Sequence, residues 1–434
     1  MRKLLVALLA LGLVFAFTAP AFAVDADFSG YYRLRGFWFN NEKASDGKLR
    51  DGGKKAGGQE NRAFYDQRLR VQMVFNVAEG LSVTSRFHAM DRVWGDWERV
   101  NVTPDTQGYQ KDNIYWHRAY ITAKTDIGKF DVGYQQGGVW GTVFGDTEAD
   151  GRARVKYTGV FGPWIAIALW EKFDENDGFL TTNVSDEDFD AYAVAGIYKW
   201  DGGEAGLLFY YLDNKENPDQ KTTNWLPLPY FKATFGPLYL EGEFVYYGGE
   251  TDRDVGKDSD WKGKAWYLYG KFNMGPAYVG AQYAFREGDD PTTTDVELGY
   301  PGTDYNPCVL LWNDNTSGLG YATGKSKKGN DISYTTGEGI ENGSLAQIFA
   351  GFSPMEKLNL HASVTYAWAD HTESGVDDDI GWEFDLEATY KIFDNLEYWI
   401  GFGYLKTGDW FKGGDSANKI DDAWLIMHKL QMNF

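Results

Sequence analysis

The chain has 434 residues, 17% of them aromatic, with 52 glycines, 17 tryptophans and a single cysteine. Its net charge of −21 disfavours nucleic acid as a partner, one cysteine excludes an internal disulfide, and its negative mean hydropathy is foreign to a bundle of membrane helices. Strands with one dry and one wet face reconcile the aromatic content with that hydropathy, because half of each strand then meets water.

Arg2 and Lys3 precede an apolar stretch from Leu4 to Phe17, and Ala21-Phe22-Ala23 supplies a small-x-small cleavage pattern. Residues 1–23 therefore read as an export signal and residues 24–434 as one mature domain. Loss of the signal removes two basic residues and no acid, leaving 40 basic against 63 acidic residues and a net charge of −23. No cysteine follows the cleavage site, so a lipid anchor at the mature N-terminus is not indicated. Beyond residue 23 no apolar run approaches the roughly 20 residues of a spanning helix. If the exported chain enters a membrane, it crosses as a closed barrel, where every backbone group finds a partner.

Period-two segments are separated by eight tight turns: Ala78-Glu79-Gly80, Asp126-Ile127-Gly128, Phe161-Gly162-Pro163, Asp201-Gly202-Gly203, Phe235-Gly236-Pro237, Met274-Gly275-Pro276, Pro354-Met355-Glu356 and Asp394-Asn395. Nine long polar stretches alternate with them, near residues 40–61, 94–112, 138–150, 172–186, 213–223, 249–262, 287–343, 370–380 and 408–421. Eight turns and nine loops join eighteen strands of an all-β, antiparallel up-and-down transmembrane barrel with short periplasmic turns and long extracellular loops. Pro227 and Pro229 are awkward inside a ladder and leave sixteen strands as the competing count. Either number exceeds the ~8 strands whose side chains alone fill a barrel, so a water-filled lumen is expected unless a loop plugs it.

Alternation also assigns faces, since an Arg or Lys on the lipid side costs about 2–4 kcal/mol at the midplane. Arg33 and Arg35 turn inward opposite Phe28, Tyr32 and Leu34. Asp66, Arg68, Arg70 and Gln72 do so opposite Leu69, Val71, Met73 and Phe75. Arg86 shares parity with Ser82 and Thr84, Arg118 with Thr122 and Lys124 against Tyr115 and Ile121, and Arg152, Arg154 and Lys156 oppose Val155 and Tyr157. Glu241 and Glu243, then Glu383, Asp385 and Glu387, face inward from later strands, beside Asn359, His361, Ser363 and Thr365. A basic wall opposite an acidic wall would set a transverse field across the pore.

Residues 138–150 leave the fifth strand as a glycine-rich loop that could narrow the lumen. The glycines of Gly137 to Gly145 let the chain bend back along the wall, and Asp146, Glu148 and Asp150 would then face the arginines. The alternative is a loop that stays outside and arginines that are ordinary solvated wall residues. Within residues 287–343, the run Asn306 to Trp312 is too apolar for open water. It reads first as a surface loop collapsed on its neighbours, and second as a lid inside the lumen or the cover of a subunit contact. Nothing beside Cys308 suggests activation. Tyr246, Tyr247, Tyr267, Tyr269, Trp399 and Tyr404 are assigned to interfacial girdles.

The final segment, Trp424 to Phe434, is apolar at 424, 426, 430, 432 and 434, with Lys429, Gln431 and Asn433 between. A strand ending on a membrane-facing aromatic looks like the last strand of a Gram-negative outer-membrane β-barrel. With the export signal and the alternating hairpins, it resembles the outer-membrane porin superfamily. Tyr31-Tyr32-Arg33-Leu34-Arg35 and Asp91-Arg92-Val93-Trp94 resemble the porin-like barrels of deltaproteobacteria, and eighteen strands also resembles alginate-export barrels and substrate-specific channels. The resemblance implies an outer-membrane porin in contact with lipid, passing small hydrophilic solutes or ions by passive diffusion, without a cofactor. General porins are commonly sixteen-stranded trimers, so a homotrimer is one implied assembly.

Three other classes fit these residues less well. An enzyme needs an oriented nucleophile or metal-bound water, yet His117 and His428 share parity with lipid-facing residues and His371 lies in a loop. With His88 and His361 they form no metal-spaced pair, and no hydrolase elbow appears. An exporter of acidic, alginate-like polysaccharide would use the arginines as an electrostatic path. A sheath around an inserted partner has no feature demanding it. The acidic runs Ser185 to Asp188 and Asp377 to Asp379 lack the spacing of a structured calcium loop.

Overall fold

The computed structural model describes residues 25–40, 61–95, 114–137, 140–145, 151–176, 187–290, 292–299, 304–313, 340, 342–414, 416 and 422–434. The expected export signal lies outside these residues, as do Asp146, Glu148 and Asp150. The strands are β1 (Asp25–Asn40), β2 (Asn61–Ala78), β3 (Leu81–Val93), β4 (Ile114–Thr125), β5 (Gly128–Gln136), β6 (Gly151–Phe161), β7 (Trp164–Asp174), β8 (Phe189–Trp200) and β9 (Gly203–Asn214). They continue through β10 (Gln220–Phe235), β11 (Leu238–Arg253), β12 (Ser259–Met274), β13 (Ala277–Arg286), β14 (Gly343–Met355), β15 (Leu358–Ala369), β16 (Asp379–Phe393), β17 (Leu396–Thr407) and β18 (Ala423–Asn433). A 3-10 turn, Asp409–Lys412, precedes β18.

Each strand pairs antiparallel with the next, and β1 also pairs with β18, so the eighteen-stranded sheet closes on itself. At the seam the Gly30 and Phe434 amides each donate to the other's carbonyl, at 2.8 and 3.0 Å. All eight tight turns join neighbouring strands as the periodicity expects. Three of them use Gly162, Gly236 and Gly275 at φ of 59, 59 and 65°, a left-handed conformation that glycine adopts without the Cβ penalty, each followed by proline.

Pro227 and Pro229 both lie inside β10. They are two residues apart, so their missing N–H groups face the same neighbour. The ladder to β9 is accordingly unbroken through Pro227↔Phe209 and Pro229↔Leu207, whereas pairing to β11 lapses between Trp225↔Gly248 and Tyr230↔Glu243. The count is therefore eighteen, and the prolines cost one stretch of one ladder.

Alternation gives the barrel its two faces. Phe28, Trp38, Trp116, Val194, Leu268, Ile348, Leu386 and Met432 stand exposed on the outside, as an apolar band facing lipid requires. The inner face is not uniformly polar. From β8 to β12 it carries Ala191, Leu212, Leu226, Leu228, Tyr230, Val245, Ala265 and Tyr267, all buried in one apolar cluster. Such a surface must be covered, and segments 140–145 and 304–313 cover it.

The seam yields a test. A Cβ on Gly30 would sit 2.0 Å from the Arg70 carbonyl oxygen, a backbone atom that cannot step aside, whereas one on Gly196 meets nothing within 4 Å. Gly30→Ala is expected to lose the heat-modifiable, folded band on a denaturing gel and Gly196→Ala to keep it.

Candidate functional site

The inner face of β1 to β6 is rich in arginine, interleaved with acids such as Asp66, Asp91 and Asp131 and, on β1, with the buried Phe37 and Phe39. Arg33 and Arg35 stand in register with Arg68 and Asp66, Arg86 with Gln72 on one side and Arg118 on the other, and Arg154 with Gly133 and Glu171. Several are held by partners on the same wall. Arg35 donates through Nε to both Asp66 oxygens at 3.0 and 3.1 Å, Arg68 Nε to Asp91 Oδ2 at 2.8 Å, and Arg154 Nη2 to Glu171 Oε1 at 2.7 Å. Glu171 also accepts the Tyr210 hydroxyl at 2.7 Å, and Arg152 lies 3.6 Å from Glu171 and 3.7 Å from the Phe173 ring centroid. Among the described residues Arg33 has no ion-pair partner; its Nε is buried without an acceptor and its guanidinium stands 5.8 Å from the Tyr31 ring centroid.

Two histidines act as acceptors inside this cationic wall. Arg70 Nε donates to His88 Nε2 at 2.7 Å and Arg86 Nε to His117 Nδ1 at 3.1 Å, while the two imidazoles stack at 4.6 Å. A ring nitrogen accepting from a guanidinium carries no proton, so both rings are neutral in this arrangement. His88 Nδ1 lies 2.6 Å from the Tyr115 hydroxyl, which donates to Asp91 at 3.2 Å. The interior position of His117 and Tyr115 corrects their assignment to the lipid side. Arg86 pairs with Arg118 but Phe87 pairs with Trp116, so His117 is the extra residue of a β-bulge, and the parity of β4 reverses there. One bulge thus turns His117 and Arg118, adjacent in sequence, toward the same interior.

The acidic wall is occupied differently. Glu243 Oε2 accepts both the Thr142 amide at 2.6 Å and the Thr142 hydroxyl at 2.8 Å, and is 4% exposed. Glu383 accepts the Leu310 amide on Oε1 at 2.6 Å and the Leu311 amide on Oε2 at 2.8 Å, with no exposed surface. Glu241 is buried beneath the Tyr239 and Tyr267 hydroxyls, and Asp385 beneath Ser363. Glu387 keeps some exposure and accepts Trp399 Nε1 at 2.9 Å. An open acidic surface confronting the arginines is therefore not what the fold provides: four of these five carboxylates are buried, and Glu243 and Glu383 hold loop backbone.

Those loops fold inward. After β5, Trp140 donates Nε1 to the Leu228 carbonyl at 2.9 Å and packs edge-on against Tyr230, while Phe144 stacks on Tyr267 at 5.4 Å. Gly141, at φ 62°, and Gly145 lie so close to Glu243 that a Cβ would approach its carboxylate oxygens to 2.5 and 2.0 Å. The apolar run between β13 and β14, expected first as a surface loop, is instead a strap against the inner wall. Tyr305 donates to Gln282 at 3.1 Å, Gln347 donates to the Pro307 carbonyl at 2.7 Å, and Val309 to Trp312 are buried. The inward loop and the strap meet where Phe144 packs on Tyr305 at 5.3 Å. Burial and the nearby Glu383 hold the Cys308 thiol well above its ordinary range.

The girdle assignment also needs correction. Tyr267, Tyr269 and Trp399 face the interior, Tyr267 donating to Glu241 at 2.8 Å and Tyr269 stacking on Phe349 at 5.2 Å. Tyr247 shares their inner parity and packs against the apolar cluster. Their strands are amphipathic in the usual sense only near the turns. Asp91, Glu171 and Tyr210 were not singled out from sequence as partners of the cationic wall; inward parity beside a cross-strand arginine was the signal for Glu171.

No protein-family model and no curated protein sequence matches this chain. Solved structures do. OccAB1 of Acinetobacter baumannii, 14% identical, aligns over 96% of this chain and 98% of its own with a TM-score of 0.56. OccK8 (OprE) of Pseudomonas aeruginosa, 12% identical, aligns over 94% and 98% with a TM-score of 0.53. The outer membrane protein OpdK of Pseudomonas aeruginosa, 12% identical, aligns over 94% and 99% with a TM-score of 0.50. The likeness is one of fold: the chain has the architecture of Gram-negative outer-membrane barrels.

Removing an anchor should release its loop. Glu383→Ala leaves two buried amides without an acceptor, at about 1–3 kcal/mol each, and Glu243→Ala strips both donors of Thr142. Each variant is expected to raise single-channel conductance in a planar bilayer, and Glu383→Ala to make Cys308, buried in the parent, accessible to a maleimide.

Proposed function

We propose that the protein is an outer-membrane channel through which small hydrophilic solutes, anions above all, diffuse passively down their gradients. The observation that carries this reading is the asymmetry of the interior. Arg33, Arg35, Arg68, Arg70, Arg86, Arg118, Arg152 and Arg154 line one side, while opposite them Glu243 and Glu383 are covered by the loops they hold and Glu241 and Asp385 are buried. Fixed positive charge beside a narrowed aqueous path raises the local concentration of anions and lowers that of cations. Arg33, lacking an acid of its own, is the strongest candidate for contact with a passing anion.

The chemistry needed for such transport is positional. No bond is made or broken, and the two interior histidines serve as acceptors for arginine rather than as bases beside a nucleophile, which supports a channel over an enzyme. Export of an acidic polysaccharide is the second reading, favoured by the continuity of the arginines across β1 to β4 and β6. A polyuronate that blocks conductance from the periplasmic side would favour it.

Reversal potentials across a salt gradient test the main reading. The parent should prefer chloride to potassium, and Arg33→Gln with Arg118→Gln should move the reversal potential toward the cation side. A cation-selective parent, or a double variant with unaltered selectivity, would count against the arginine wall as the filter.

A further inference from the structure

Cys308, Glu383 and Asp385 bring three potential metal ligands together where the strap crosses β16, all buried, with their ligand atoms within 4.8 Å of one another. Glu383 and Asp385 are two residues apart on one strand, so both project to the same interior face. Their exposures are 0 and 2%, and neither has a lysine, arginine or histidine as an ion-pair partner among the described residues. Two carboxyl groups taken out of water side by side both stay ionised only with a compensating positive charge, and otherwise hold a proton between them.

The hydrogen bonds do not supply that charge. Glu383 receives two strap amides, but one amide per oxygen leaves further lone pairs on each. Asp385 Oδ2 accepts Ser363 at 2.9 Å, while Oδ1 is buried without a well-formed hydrogen bond, with the Val309 amide and Glu383 beside the carboxyl. The thiol is held loosely, donating to Thr365 Oγ1 at 3.4 Å and accepting from Gln347 Nε2 at 3.7 Å. A sulfur and two carboxylate groups, one of them with an oxygen lacking a well-formed hydrogen bond, suit a borderline or soft divalent cation better than calcium or magnesium, which take all-oxygen shells.

We propose that Cys308, Glu383 and Asp385 form a binding site for a thiophilic divalent cation of the zinc class. The metal would join strap to wall, with the thiol releasing its proton to solvent on coordination. Bound there, it neutralises the buried carboxylates and fixes the strap against β16, so occupancy would also set how far the strap narrows the interior.

The full chain, stripped with chelator and refolded in detergent with cadmium or zinc present so that burial does not block entry, tests this. One equivalent of metal per chain is expected, with a thiolate-to-cadmium charge-transfer absorption band. Cys308→Ser, nearly isosteric, should abolish the band, and Cys308→Ser and Asp385→Asn should each weaken zinc binding by more than the roughly hundredfold that loss of an outer-shell partner costs at most. Both variants are compared with the parent for the folded gel band. Absence of bound metal and of the band in the refolded parent overturns the proposal, and so does zinc binding that Cys308→Ser leaves unchanged.

Discussion

Hydrocarbon offers no partner to a peptide group, so a chain that crosses lipid with strands must pair every N–H and C=O within itself. Closure of the sheet meets that demand here. The Gly30–Phe434 exchange and the β1–β18 ladder remove the last free edge, and the two prolines of β10 are tolerated because their absent donors fall on one side only. With the backbone satisfied by the ring of strands, the side chains are released to specify what the ring contains.

Inside the ring the same local solution is used twice. An inward carboxylate, Glu243 on β11 or Glu383 on β16, accepts two donors from a loop segment that has entered from the rim. These hydrogen bonds act together with the apolar cover that Trp140, Phe144, Tyr305 and Leu310 lay over β8 to β16. The loops are therefore placed by two needs at once: an apolar inner surface that water should not touch, and buried carboxylates that require donors.

How much of this was legible in the sequence follows from the period of the signal. Alternation over β1, β2, β6, β11 and β16 located strand limits and the inner residues Arg33, Arg68, Arg154, Glu241 and Glu383, because a charge on the wrong face is costly. It failed at β4, where one extra residue at His117 reverses the parity, and a bulge leaves no mark in a pattern of two. It failed again at Tyr267, Tyr269 and Trp399, since an aromatic residue is equally at home in a lipid interface or under a loop. The strap was misplaced for a related reason: apolar residues between strands declare that they need cover, not where they find it. The runs of β7 and β8, apolar at nearly every position, held the clue that both faces of that wall are dry.

The inward loop and the strap both lie against β10 to β17, so among the described residues the interior is lopsided, with loop side chains over one arc and an arginine-rich wall along the other. If the protein conducts as proposed, an elongated ion is oriented by the arginine-rich wall it follows and not by a ring it threads.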